Sequence, residues 1–349
     1  MTLATTRKTL AWAHGCLSVQ SLGGMLGPVT FHLANGRSVS PLHVAPWGDD
    51  PKRETLPAML QELRGEWPCV PFGSATARNL PEGWAKPDDR HEDVEPPHGH
   101  SSHIHWEWDR CDDHHIVLTC RYPEQHAIQS LRRTIVPDPK TAALDITLNI
   151  QARRACRLPI GLHPTFRLPS RPGAVRIEPG NYRRVYSFPG DVEPGKALFA
   201  QNRSWASLGH IETRRGTFVD ATQVPLASET EDLLQLAGSD GQVSLHYVDE
   251  AFRVRLSWQK EHFPSLLLWY SNRGRTDYPW NGRHLALGME PVASAFDLGS
   301  VASTSENPIS TAGVPTSIAF QPHRLFTTRY RISVEPTARH THRQEELSS

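Results

Sequence analysis

Residues 98–106 read HGHSSHIHW, with His98, His100, His103 and His105 in nine positions and Trp106 closing the run. Imidazole titrates near neutrality, binds divalent metals through a lone pair and stacks on other rings. The stretch therefore suits metal binding, proton transfer or sugar contact, and each needs partners elsewhere in the chain. For a metal, His98/His100 or His103/His105 would each present two ligands on one side of a strand. His114 and His115 bring six histidines into 18 residues. A barrel-type HxH metal motif wants a glutamate four or five positions after its second histidine. Glu107 instead lies seven after His100 and two after His105. In one continuous strand the two pairs would also face opposite sides.

Two further stretches carry groups that move protons. GLHPTFRLP (161–169) sets His163 between an apolar run and a proline that fixes the chain direction. HLALGMEPVASAFD (284–297) sets Glu290 at the end of an apolar run, again just before a proline. Polar residues at the end of a rigid strand are well placed for chemistry. The same residues also read as a hydrogen-bonded core histidine and a strand-end salt bridge.

The elements that must position these groups are short strands. TFHLANGRSVSPLHVAPW (30–47) places Asn35-Gly36 between strand-like runs, a hairpin signal. Strand candidates follow at 115–122, 127–138, 143–153, 174–180, 243–248, 252–258, 265–271 and 284–291. In 143–153, Leu144, Ile146, Leu148 and Ile150 alternate onto one face. LPAMLQELRG (56–65) and TEDLLQLAG (230–238) are the helix candidates. Residues 80–97 read as a long polar, proline-rich loop leading into the histidines, and loops of that length tend to be functional. No internal repeat or interdomain linker is visible, so a single domain over 1–337 is expected, with 338–349 as a disordered tail.

Composition narrows the classes. The 349 residues carry 37 basic and 37 acidic side chains, so the basic footprint of a nucleic-acid or membrane-surface binder is missing. The 29 prolines suit strands and loops over helices, and the 10 tryptophans suit either carbohydrate faces or a β-core. The five cysteines (Cys16, Cys69, Cys111, Cys120, Cys156) form no CxxC pair, as expected of reduced thiols in the cytoplasm. No apolar run approaches the roughly 20 residues that span a bilayer.

LRGEWPCVPFG (63–73), HGHSSHIHW (98–106), GLHPTFRL (161–168) and LALGMEP (285–291) resemble, in this order, motifs of the aldose 1-epimerase (galactose mutarotase-like) family. The spacing from His98-Gly99 to Trp106 is nearest to the hexose-6-phosphate-epimerase-like branch, whose patterns resemble RGGxP…PxFG, HGFaRxxxW, GxHPYF and xxxEP. LGGMLGPVTFHLANG is similar to the family's opening hairpin, and the resemblance spans about residues 18 to 300. It implies an all-β fold, a large antiparallel β-supersandwich with a concave sugar-binding cleft. It also implies ring opening and closing at the anomeric carbon, with Glu290 taking the proton from the C1 hydroxyl and His163 donating one to the ring oxygen. By position, Arg64, His98 and Asp232 would bind or steady sugar hydroxyls, and Trp106 and Trp269 are candidate walls for the sugar face. His98 is then the functional histidine of the run, and His100, His103 and His105 are local structure.

The chain departs from the family at Thr165, where a tyrosine is usual, and at Ser102, where phosphosugar-binding members carry arginine. Leu267 stands where the galactose branch carries glutamine. The expectation is a cofactor-independent isomerase with a small-molecule sugar as its partner, acting as a monomer or homodimer. Its rivals are a non-catalytic carbohydrate binder on the same fold and a metal-dependent sugar isomerase or lyase built on His98–His105.

Overall fold

The computed structural model describes residues 5–74, 80–85 and 95–338. Two large antiparallel sheets make the body. The first runs, in spatial order, Gln223–Val224, Val175–Glu178, Gln242–Tyr247, Phe252–Trp258, Phe326–Pro336, Ala143–Ala152, Ile128–Pro137, Ile116–Arg121 and Glu107–Cys111. The second runs Ser204–Trp205, Arg184–Ser187, Thr230–Ala237, Ser265–Asn272, Leu285–Ala293, Ile160–Leu162 and Pro68–Cys69, with Thr165–Arg167 also paired to the Leu285–Ala293 strand. A smaller sheet of Arg7–Trp12, Gly15–Gln20, Leu26–His32 and Ser38–Val39 precedes them. Its last two strands form the hairpin expected at Asn35-Gly36, where the Gly36 N–H donates to Leu33 O over 2.9 Å.

All eight strand candidates are strands, and Leu144, Ile146, Leu148 and Ile150 lie together in the main core. That core also takes Leu234, Leu236, Leu266, Leu268, Leu287 and Met289 from one face of the second sheet. The opposite face of that sheet packs a second cluster, with Leu233, Leu267, Trp269 and Val292 against Trp67 and Trp280. Its three central strands are therefore buried at every position.

That double burial corrects one expectation. TEDLLQLAG is a strand, Thr230–Ala237, and no helix. A strand covered on both faces carries apolar residues without alternation, so its period gives no warning of its type. LPAMLQELRG keeps a single helical turn, Ala58–Gln61. Glu62 leaves helical geometry, and the next residues join the hairpin side, with the Ala45 N–H donating to Leu63 O over 3.0 Å. Of the loop expected over 80–97, residues 86–94 lie outside the described residues, as does the tail beyond Ala338. Among the described residues no helix is long and apolar enough to cross a membrane.

Candidate functional site

Strand register decides which side chains meet on the cleft side of the second sheet. Leu233, Trp269 and Gly288 stand side by side in one row, and Gln235, Leu267 and Glu290 in the next. Alternation along each strand sends these residues to the cleft side and their neighbours to the core between the sheets. Glu290 thus reaches the cleft from the centre of the sheet, on a fully buried strand.

His163 comes to Glu290 from the next chain segment. Its backbone N–H donates to Trp67 O over 2.9 Å, and the carbonyl of the following Pro164 accepts from the Met289 N–H over 2.8 Å. Main chain on both sides therefore locks the imidazole between Trp67 and the Glu290 strand. His163 Nε2 lies 3.5 Å from Glu290 Oε1. Its ring stacks on Trp67 with centroids 4.1 Å apart, and Nδ1 lies 3.2 Å from Thr165 Oγ1. Thr165 thus supplies the hydroxyl that holds the far side of the imidazole.

His98 completes the cluster, edge-on to His163 with ring centroids 5.1 Å apart. The turn that presents it needs Gly99. That residue has φ +79°, and a Cβ there would sit 2.2 Å from Val70 O. A 3-10 turn follows, His100–Ser102, which disperses the histidines in place of the continuous strand that paired ligands would need. His100 packs near Tyr122, and His105 Nδ1 lies 3.0 Å from Ser21 Oγ. His103 Nε2 lies 2.8 Å from Pro97 O, and His103 lines the cleft, which its reading as local structure did not anticipate. Among the described residues no group of three or more His, Cys, Asp or Glu is arranged to hold a metal ion.

Burial sets the electrostatics. It pushes the Glu290 carboxyl well above the usual carboxylate range, and the Asp297 charge adds to the rise. It pushes the His163 imidazole well below its usual value, and His98 adds to that fall. Two facing groups are thus both biased toward their neutral forms, at hydrogen-bond range or a little beyond it.

The cleft encloses about 270 Å³, close to the lower end of the roughly 300–1,000 Å³ usual for small-molecule sites. His98, His163, Glu290, Trp269, Arg275 and Asp297 all line it. The expected residues His163, Glu290, His98 and Trp269 are therefore brought together, and three others are not. Arg64 is not among the lining residues. It is buried beside Glu62, its Nε donating to Glu62 O over 3.0 Å, and desolvation pushes its pKa down to about 10. Trp106 fills the core, its indole N–H donating to Ser101 O over 2.9 Å. Asp232 sits one residue out of phase, on the core side of its strand. There it accepts from the Leu198 N–H over 2.7 Å, and burial raises its pKa to about 7.

The acid on the cleft side of that strand is Glu231, which the sequence reading passed over together with Arg275 and Asp297. The signal for Glu231 was available. Once 230–237 is a strand, period two separates Glu231 from Asp232. Arg275 and Asp297 lie in loops and had none.

Gly288 makes room for the Glu290 carboxylate. A Cβ at this position would lie 2.4 Å from Glu290 Oε1 and 3.0 Å from Trp269 Cβ. The carboxylate end can yield, so Gly288→Ala is expected to fold and to mis-aim Glu290. Displacements near 1 Å cost on the order of 100-fold in rate. Turnover of the variant should fall by about 10–100-fold, with a thermal midpoint within a few degrees of the parent's. Unchanged turnover would show that Glu290 has slack.

No family model matches the chain, and no curated protein matches its sequence. Its fold does match solved structures. One is a candidate aldose 1-epimerase from Escherichia coli K12, at TM-score 0.64 and 15% identity, covering 95% of this chain and 100% of that one. A second is an aldose epimerase homologue from C. elegans, at TM-score 0.63 and 13% identity, covering 96% and 100%. A third is a galactose mutarotase related enzyme from Lactobacillus acidophilus, at TM-score 0.57 and 12% identity, covering 95% and 98%. At these identities the likeness carries the fold, which is galactose mutarotase-like over nearly the whole chain.

Proposed function

We propose that the protein is a cofactor-independent aldose 1-epimerase that interconverts the anomers of a sugar by ring opening and closing. The observation that carries this reading is the buried His163–Glu290 pair, 3.5 Å apart, on the wall of a cleft of small-sugar size with His98 alongside.

The chemistry asks for one proton shared over two groups. In the opening step Glu290 as carboxylate takes the proton from the C1 hydroxyl. His163 as imidazolium gives its proton to the ring oxygen as the bond from that oxygen to C1 breaks and the C1 carbonyl forms. The pair then holds the same proton count with both members neutral. The aldehyde turns about the C1–C2 bond and recloses on its other face, and the two transfers run backwards. Burial favours the neutral arrangement and the facing charges favour the ionic one, so neither is far out of reach, as a reversible reaction requires. His98 steadies the ring-oxygen side, and the flat indole of Trp269 suits the C–H face of a pyranose. Arg64, Asp232 and Trp106 support the cleft walls without touching the sugar.

The test is NMR saturation transfer between α and β anomer signals for a panel of aldoses and their 6-phosphates, the latter included because the motif spacing is nearest to the hexose-6-phosphate branch. Exchange faster than in buffer for at least one sugar is expected. Binding without acceleration would make the protein a carbohydrate binder and overturn the catalytic reading. Neither binding nor acceleration would overturn the sugar reading as well.

A further inference from the structure

The lining cation Arg275 has no role in the ring chemistry, and its setting is specific. Its guanidinium lies 4.5 Å from the centroid of Trp280 and 5.7 Å from that of Trp269. Its Nε pairs with Glu231 Oε1 at 3.1 Å, out of hydrogen-bond alignment. Among the described residues no hydrogen bond occupies the guanidinium nitrogens. Stacking and tether hold the group in place while leaving its donors unspent.

Glu231 is fully buried, and the hydrogen-bond and ion-pair partners of its carboxylate are two donors and a cation. Trp269 Nε1 donates to Oε1 over 2.6 Å, Ser271 Oγ donates to Oε2 over 3.1 Å, and Arg275 adds its charge. An acceptor-only group is what such a shell satisfies. Burial pushes this carboxyl up and the Glu193 charge adds to the rise, while Arg275, Trp269 and Ser271 pull it back. The same indole lies 5.7 Å from the His163 ring. Trp269 is thus a floor with the acid–base pair on one side and Arg275 on another.

We propose that Arg275 is the specificity-determining residue of the cleft and that Glu231 positions it and sets its charge, so that the cleft takes neutral sugars through a pair of their hydroxyls. This rests on the epimerase reading for the site and names its substrate class. A guanidinium fork can donate to two adjacent oxygens at once. The buried Glu231 counter-charge already answers the Arg275 charge, so a phosphate or carboxylate at the same place gains little from it. A neutral vicinal diol needs only the donors.

The experiment measures binding first, by saturation-transfer difference titration of galactose, glucose, their 6-phosphates and a uronate, and then anomer exchange. Wild type, Arg275→Met, Arg275→Lys and Glu231→Gln are compared after a thermal melt of each. Arg275→Met should weaken the preferred neutral sugar about tenfold or more, the worth of lost hydrogen bonds. It should raise KM with kcat within about threefold. Arg275→Lys should recover part of the affinity.

Glu231→Gln keeps an oxygen for Trp269 and removes the counter-charge, so it should gain about tenfold for the 6-phosphate or uronate. A residue that merely supports the fold would not produce that gain. Wild-type preference for the anionic sugars, undiminished binding in Arg275→Met, or no anion gain in a folded Glu231→Gln would each overturn the proposal. If no sugar exchanges but binding follows this pattern, the catalytic reading fails and the Arg275–Glu231 assignment stands.

Discussion

Glu290→Gln is expected to lose at least about 100-fold in the rate of anomer exchange, within the roughly 10²–10⁴-fold that acid–base assistance contributes. The substitution keeps shape and one carbonyl oxygen, and the site around it is rigid. Gly288 lies directly beneath the carboxylate, and Thr165 and Trp67 hold His163 from two sides. Sugar affinity by saturation-transfer difference should therefore stay within about threefold of wild type, as for an interaction used only in the transition state. A Glu290→Gln protein that keeps its rate would remove the carboxylate from the chemistry, whatever the cleft binds.

The pH profile carries the same argument in sign. In the proposed mechanism the His163–Glu290 pair holds one proton, in either of its two arrangements. At low pH His163 gains a second proton, and burial together with His98 moves that step well below the ordinary histidine value. At high pH the last proton leaves Glu290, and burial together with Asp297 moves that step well above the ordinary carboxylate value. kcat/KM should therefore form a broad plateau. Its acid limb belongs to His163 and falls as pH drops. Its alkaline limb belongs to Glu290 and falls as pH rises. Glu290→Gln should lose the alkaline limb from whatever residual rate it keeps. An alkaline limb that survived unchanged would assign it to another group.

Much of this was legible in the sequence, for physical reasons that differ by element. Strands with one wet face announce themselves by alternation, as 143–153 does. The order GLHPTF, then LGMEP, was enough to bring His163 and Glu290 forward. What stayed hidden depended on contacts between distant segments. Thr230–Ala237 is covered on both sides, so its apolar run carried no period and its cleft-facing acid was read one residue late, as Asp232 in place of Glu231. Arg64 looks like a ligand in LRGEW, but Leu63 takes the cleft side and Arg64 turns to Glu62. Arg275 owes its place to Trp280 and Glu231, which no local pattern relates to it.

The largest stability effect is expected behind the cleft. Arg133 and Glu66 form an ion pair in which both side chains are fully buried, and the Tyr330 hydroxyl donates to Glu66 Oε1 over 2.7 Å. Burial pushes the Glu66 carboxyl up, and Arg133 and Tyr330 pull it back. Breaking such a pair from one side leaves a buried charge without a partner and costs about 3–5 kcal/mol. Arg133→Met and Glu66→Leu should each lower the unfolding free energy by that much, read as a lower urea midpoint at an unchanged m value. The double variant removes both charges and should recover most of the loss, since an apolar pair of similar volume is often no less stable. Losses that simply add would mean that the two charges are not coupled.

The pair also bears on chemistry, because Glu66 precedes Trp67, and its own main chain bonds to Leu26 in both directions. It anchors the segment whose indole stacks on His163. A double variant that regains its midpoint but not its anomer exchange would show that the buried charges act by fixing the register of Trp67. Full recovery of both would leave packing alone to hold the imidazole in line with Glu290.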